Sequence, residues 1–368
     1  LDCLSAYSAL NQGHVHPKIL QALVEQASKV TLTSRAFRND QLPLLYKELS
    51  ELSGYEMSLP MNSGAEAVET AIKVARKWAY QTKNVPRHQA EIIVAAGNFH
   101  GRTVSIISFS TEPSYRDDFG PFTPGFVTVP YGDAAAIQSA ITPNTAAVLL
   151  EPIQGEGGVI IPPAGYLQCV ADICRQNQVL FIADEIQTGL GRTGKLFATH
   201  HENVRPDMVI IGKALSGGFY PVSAVLADRD TLGLIRPGEH GSTFGGNPVT
   251  AQAGLKFLEI LQRDRLAARS EQGGGQLKDR LMRLAEKTDI ISNVRGLGLM
   301  IGVEIAGRDS VGAAERTDQI LECMKDSGYL LGKTGSGRNV LTWMPPLIVG
   351  IDELMEAVDT VETVLKTL

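Results

Sequence analysis

Val179-Leu180-Phe181-Ile182-Ala183-Asp184-Glu185 is an apolar run that closes on two carboxylates, and Met208-Val209-Ile210-Ile211-Gly212-Lys213 is a second run that closes on an amine, 29 positions after Asp184. Each reads as a strand buried on both faces of a sheet. Open α/β sheets hold ligands in the crevice outside the carboxyl ends of their strands, and both polar residues would stand there. Lysine is almost never fully buried unless paired, and loss of hydration favours its neutral, nucleophilic form. Taken singly, a strand-end lysine snorkels to solvent and a strand-end aspartate caps the next turn. The combination is what carries information.

An amine that captures an aldehyde and an acid that faces a pyridine nitrogen are the two groups required by pyridoxal 5'-phosphate (PLP), whose protonated ring takes up electrons from the substrate carbon. Lys213 and Asp184 fit those two roles. A seat for the phosphate is offered by Met61-Asn62-Ser63-Gly64-Ala65-Glu66. Ser63 with Glu66 is a capping box, and Ala65, Val68, Ala71, Ile72, Ala75 and Ala79 recur behind it at helical spacing. The free amides and positive end of such a helix favour an anion, and Gly64 lets the backbone approach it closely.

Working outward, strand candidates at 92–94, 104–108, 126–129, 146–150, 179–183, 208–211 and 222–227 alternate with helical patterns such as 165–176. The pattern predicts a mostly parallel sheet covered on both faces. After Asn247-Pro248 a long helical stretch leads away, and from about residue 290 strands at 294–304 and 340–344 with helices near 313–327 and 352–368 read as a smaller α+β domain. The expected division is an N-terminal segment over 1–45, a large PLP-binding domain over 46–250, and a linking helix with a small C-terminal domain over 251–368.

Ordered blocks along the whole chain carry a family resemblance: Leu4-Ser5-Ala6-Tyr7-Ser8-Ala9, Asn11-Gln12-Gly13-His14, Asn62 to Glu66, Gly97-Asn98-Phe99-His100-Gly101-Arg102-Thr103, Glu151-Pro152-Ile153-Gln154-Gly155-Glu156, Asp184-Glu185-Ile186-Gln187, Gly212 to Gly218, and His240-Gly241-Ser242-Thr243-Phe244-Gly245-Gly246. With them the chain resembles the class III, fold-type I PLP-dependent aminotransferases, and most of all their ornithine aminotransferase branch. The resemblance implies that Ser63, Gly64 and Ala65 bind the phosphate and that Ser242 and Thr243 complete its cup from a neighbouring subunit, which makes a homodimer the expected unit. It also implies that Phe99 stacks on the ring beside His100, Gln187 bonds the ring hydroxyl, Asp184 meets the ring nitrogen, and Lys213 holds the cofactor covalently. The implied reaction passes an amino group from a small amino donor to a 2-oxo acid acceptor. Tyr7, Arg102 and Glu156 fall on the substrate side.

Three departures bear on specificity. The family places an arginine just before a Pro-Pro pair, where it binds a substrate carboxylate and is masked by a glutamate at the place of Glu156. Here Thr342 stands at that position in Leu341-Thr342-Trp343-Met344-Pro345-Pro346, and Arg338 lies four residues away, about 13 Å along an extended strand. His100 follows Phe99 where tryptophan is expected. The chain opens at Leu1-Asp2-Cys3, so a preceding segment is expected. An amino-acid racemase or epimerase is the alternative, motivated by Thr342, as is an ω-aminotransferase of different specificity.

Composition narrows the classes further. The chain has 368 residues and a net charge of −6 without a basic cluster, which argues against nucleic-acid binding. No apolar stretch approaches the roughly 20 residues that cross a bilayer. Cys3, Cys169, Cys174 and Cys323 form no paired framework, as in a reducing compartment; a cytoplasmic location follows, unless a preceding segment carries a targeting peptide. Gly189-Leu190-Gly191-Arg192-Thr193-Gly194 matches a dinucleotide fingerprint but lies beyond the strand end and opens no amphipathic helix. Gly332-Lys333-Thr334 has its partner glycine, Gly328, one residue too close for a P-loop. The histidines lack companions at metal-ligand spacing.

Overall fold

The computed structural model describes residues 1–34, 36–307 and 312–367. Seven strands, β1 (Met57–Met61), β2 (Glu91–Ala95), β3 (Phe126–Val129), β4 (Thr145–Leu150), β5 (Leu180–Asp184), β6 (Met208–Ile211) and β7 (Ser223–Ala227), form one sheet in the order β1-β7-β6-β5-β4-β2-β3. Every pair from β6 to β3 is parallel, and β7 runs antiparallel to both of its neighbours.

Alternation along the strands explains why both faces are apolar. Ile92, Val94, Leu180 and Ile182 pack with Val68, Ala71, Ile72 and Ala75 of the helix Gly64–Gln81. Their neighbours Ile93 and Phe181 turn to the other face, against Leu167, Val170 and Ile173 of the helix Tyr166–Gln176. With β4, β5 and β6 buried along their whole length, the carboxyl ends of those strands are the places where a polar residue follows a core run.

Two readings of the large sheet need correction. Residues 104–108 are not a strand but the helical turn Val104–Ile107, started by Thr103, whose Oγ1 accepts from the Ile106 N–H at 3.4 Å. The cap and the burial of Ile106 against the helix Gly64–Gln81 override the β-branched composition. Strand β1 was not anticipated. It contains Pro60, and an edge position tolerates the missing donor.

A second sheet holds β8 (Ile291–Leu297), β9 (Met300–Ile305), β10 (Gly332–Thr334) and β11 (Val340–Trp343), all antiparallel in the order β10-β11-β9-β8. The stretch read as one strand is thus a hairpin, turned at Gly298 with φ +53°. The helices Ala313–Asp326 and Ile351–Leu365 pack on it; the expected end of the latter at Leu368 lies outside the described residues. Helix Pro248–Arg263 begins where Asn247 accepts from the Thr250 N–H, with Pro248 in the first turn.

Candidate active site

At the carboxyl ends of β4, β5 and β6 lies a cavity of about 210 Å³ bounded by Gly64, Ala65, Phe99, His100, Gly101, Glu151, Ile153, Glu156, Asp184, Ile186, Gln187, Thr188 and Lys213. Asp184 and Lys213 meet here. Lys213 holds a left-handed φ of +41° after Gly212, a conformation that costs free energy and is found at sites where placement matters. Burial lowers the pKa of its amine, against the charges of Glu156, Asp184 and Glu151.

Asp184 Oδ1 accepts from the Ile186 N–H at 3.1 Å, and its Oδ2 lies 2.7 Å from His100 Nδ1. Burial opposes protonation of His100, but the hydrogen bond to Asp184 and the charges of Asp184 and Glu151 outweigh it, so its pKa is raised and Nδ1 donates. His100 is therefore committed to Asp184. Glu185, the second carboxylate of the strand end, does not line the cavity. It accepts from Thr188 Oγ1, from the Ala198 N–H at 3.0 Å and from the Thr199 N–H at 2.9 Å, tying the strand end to the turn beyond.

The opposite wall is the start of the helix Gly64–Gln81. Ser63 Oγ accepts from the Glu66 N–H at 3.2 Å, while Glu66 Oε2 accepts from the Ser63 N–H at 2.9 Å. These bonds serve the cap and the third turn residue; the Gly64 and Ala65 amides, first and second in the helix, have no intrahelical acceptor and border the cavity. Free amides at a helix start, a carboxylate held on its far side by histidine, and a buried amine are the donor set that a phosphorylated pyridine aldehyde requires. The residues fit PLP.

Other expected residues fall around this centre. Gln187 lines the cavity, with Nε2 donating to the Tyr7 carbonyl at 3.4 Å, and Gly155 stays free of a side chain because a Cβ there would collide with Gln187 Oε1. Tyr7 itself sits in a turn, Ser5 to Ser8, whose four residues all have positive φ, and it is about half exposed. Glu156 faces the amine, while its carbonyl accepts from the Gly335 N–H at 3.0 Å and Thr334 Oγ1 at 2.6 Å, joining the cavity wall to the small sheet.

Several do not enter it. Ser242 accepts from Asn62 Nδ2 at 2.7 Å and Thr243 is exposed, both away from the lining. Thr342 is buried within β11, opposite Gly332 and Gly302, and Arg338 lies exposed in the turn before that strand. Glu151, which follows the apolar run of β4, also lines the cavity. Fully enclosed, it accepts from the Phe99 N–H at 3.0 Å, and burial with the nearby Asp184 pushes its pKa up to about 7 despite His100, the Phe99 amide and Lys213. Its signal in the sequence was the one used for Asp184: a carboxylate that ends a fully apolar strand.

Comparison with known proteins places the chain as a whole. Ornithine aminotransferases of Brevibacillus brevis and Bacillus subtilis are each 52% identical to this chain, over 99% and 100% of it and 88% of their own lengths. The crystal structure of the ornithine aminotransferase from Toxoplasma gondii superposes with a TM-score of 0.95 at 42% identity, over 100% of this chain and 86% of that one. The acetylornithine aminotransferase from Elizabethkingia anophelis gives 0.89 at 44%, over 100% and 89%. The fold is that of the fold-type I PLP enzymes. Residues 1–365 match the family model "Aminotransferase class-III", and with the PLP-fitting donor set in place the chain belongs to the class-III aminotransferases, which act through PLP.

Proposed function

We propose that the protein transfers the terminal amino group of ornithine, or of a similar ω-amino compound, to a 2-oxo acid. The observation that carries this reading is the meeting of Lys213, Asp184 and the Gly64 and Ala65 amides around one cavity, in a chain half identical to proteins named for ornithine. Bound PLP supplies an electrophilic carbonyl carbon and a ring that accepts electrons. Gly64 and Ala65, set by Ser63, would hold its phosphate; Asp184, backed by His100, would serve the ring nitrogen; Gln187 would bond the ring hydroxyl and Phe99 would stack on the ring. Lys213 would anchor the cofactor, and its free amine would move the proton at the substrate carbon. Arg102 clasps the donor's carboxylate, with Tyr7 at the rim and Glu156 at the amine end.

Two copies pair so that the partner's Thr243, with the turn at the partner's Ser242, completes the phosphate cup. Within each, a large domain over 46–250 and a small one over 251–368 close on the site, with the segment 1–45 across it. The test is steady-state turnover of L-ornithine with 2-oxoglutarate or pyruvate, for the natural protein and Lys213→Ala. Glutamate or alanine and a cyclising aldehyde should form, and the variant should lose at least about a thousandfold in kcat with its circular dichroism unchanged. Transamination retained by the variant, or loss of optical rotation without an oxo product, overturns the proposal.

A further inference from the structure

Arg102 has no hydrogen-bond partner for its guanidinium among the described residues, and its side chain is exposed. A free arginine of this kind ordinarily spreads over many rotamers. Here two rings confine it. The guanidinium carbon lies 5.6 Å from the centroid of Phe99 and 4.5 Å from that of Tyr115. The rings are 5.8 Å apart and inclined at 75°, so they form a corner that restrains the cation in two directions. Cation–π attraction holds the cation near the rings, and with no hydrogen-bond partner of its own the guanidinium keeps its N–H groups for the two oxygens of a carboxylate.

The two rings differ in position. Phe99 lines the cavity and Tyr115 does not; Tyr115 reaches Arg102 from the short helix Pro113–Arg116, started by Glu112, whose Oε1 accepts from the Ser114 N–H at 3.3 Å and from Ser114 Oγ at 2.8 Å. We propose that Tyr115 is a positioning residue that sets the preference for carboxylated donors by holding Arg102 beside Phe99, which lines the cavity. This rests on the function proposed above, in which Arg102 binds the donor's carboxylate. The hydroxyl has no part in it, so phenylalanine serves as well as tyrosine.

The test compares L-ornithine with 1,4-diaminobutane, the same chain without the carboxylate, on PLP-loaded natural protein, Tyr115→Leu and Tyr115→Phe. For ornithine, Tyr115→Leu raises KM about three- to tenfold with kcat within about twofold, Tyr115→Phe restores it, and kcat/KM for the diamine does not change. A binding measurement needs no turnover: the Kd of pentanoate, an unreactive monocarboxylate, rises by the same factor in Tyr115→Leu by calorimetry and returns in Tyr115→Phe. If ornithine is not turned over while the pentanoate pattern holds, the functional reading fails and the clamp stands. Equal losses on both donors, an unchanged pentanoate Kd in Tyr115→Leu, or no pentanoate binding by the natural protein overturns the role of Tyr115.

Discussion

Glu151, Glu156, Asp184 and Lys213 share one small cavity with His100, and burial and neighbouring charges together shift Glu151, His100 and Lys213. Asp184 is committed to His100 and the Ile186 amide, which leaves Glu151 as the carboxyl that burial holds protonated up to about pH 7. Its folded pKa stands above its ordinary 4.5, so the fold favours the protonated acid. That contribution is complete below about pH 4.5 and is lost as pH rises to about 7. Glu151→Gln keeps an acceptor for the Phe99 amide and removes the titration. Between pH 4.5 and 7 the cofactor-free natural protein should lose roughly 3 kcal/mol of stability relative to the variant, as read by urea denaturation at each pH; parallel pH profiles would contradict this. At this scale Asp184 and Lys213 were legible, because a polar residue that ends a buried strand has only the sheet edge to occupy. Tyr115 was not, since it acts through another side chain that only the folded chain brings near.

Among the elements, the helix Leu266–Ala285 carries Gly273-Gly274-Gly275 in its interior, where glycine is a poor helix former. A Cβ on Gly274 would collide with the carbonyl and Cα of Gly298, at the turn between β8 and β9, whereas one on Gly275 would meet nothing. The same substitution should therefore have opposite signs at adjacent positions. Gly275→Ala should stabilise by about 0.5–1 kcal/mol, and Gly274→Ala should destabilise by about 1–3 kcal/mol, both from chemical denaturation midpoints; stabilisation by both would mean that helix and hairpin do not touch. Helix and strand existence was largely readable because β4, β5 and β6 are unbroken apolar runs. The failures have local causes. Val104-Ser105-Ile106-Ile107 looks like a strand until Thr103 caps it as a helix, and Pro60 hid an edge strand.

For the molecule as a whole, the stretch that resembles a dinucleotide fingerprint has a different use. Arg192 is fully buried and donates to Ser8 Oγ at 2.8 Å, Asn11 Oδ1 at 2.6 Å, Leu299 O at 2.8 Å and Pro345 O at 2.6 Å. One cation thus ties the N-terminal turn, the loop after β5, and one end of the small sheet, where the β8–β9 turn meets the residues after β11, and burial lowers its pKa to about 9. Gly191 and Gly194 around it take positive φ, which explains the glycine spacing without a nucleotide. Only the family resemblance points Ser242 and Thr243 to another copy's site, because no strand or helix pattern within one chain marks such a contact.

The central claim is that Lys213 and Asp184 serve one amino-transfer site, and a single-turnover experiment on PLP-loaded protein tests it most directly. Mixed with excess L-ornithine and no acceptor, the protein should release one equivalent of the side-chain aldehyde per active site, with a matching change in the visible absorbance, and stop. Addition of a 2-oxo acid should restore the first spectrum and yield one equivalent of the new amino acid. Continued aldehyde release without acceptor, or a spectrum that ornithine leaves unchanged, would contradict the account.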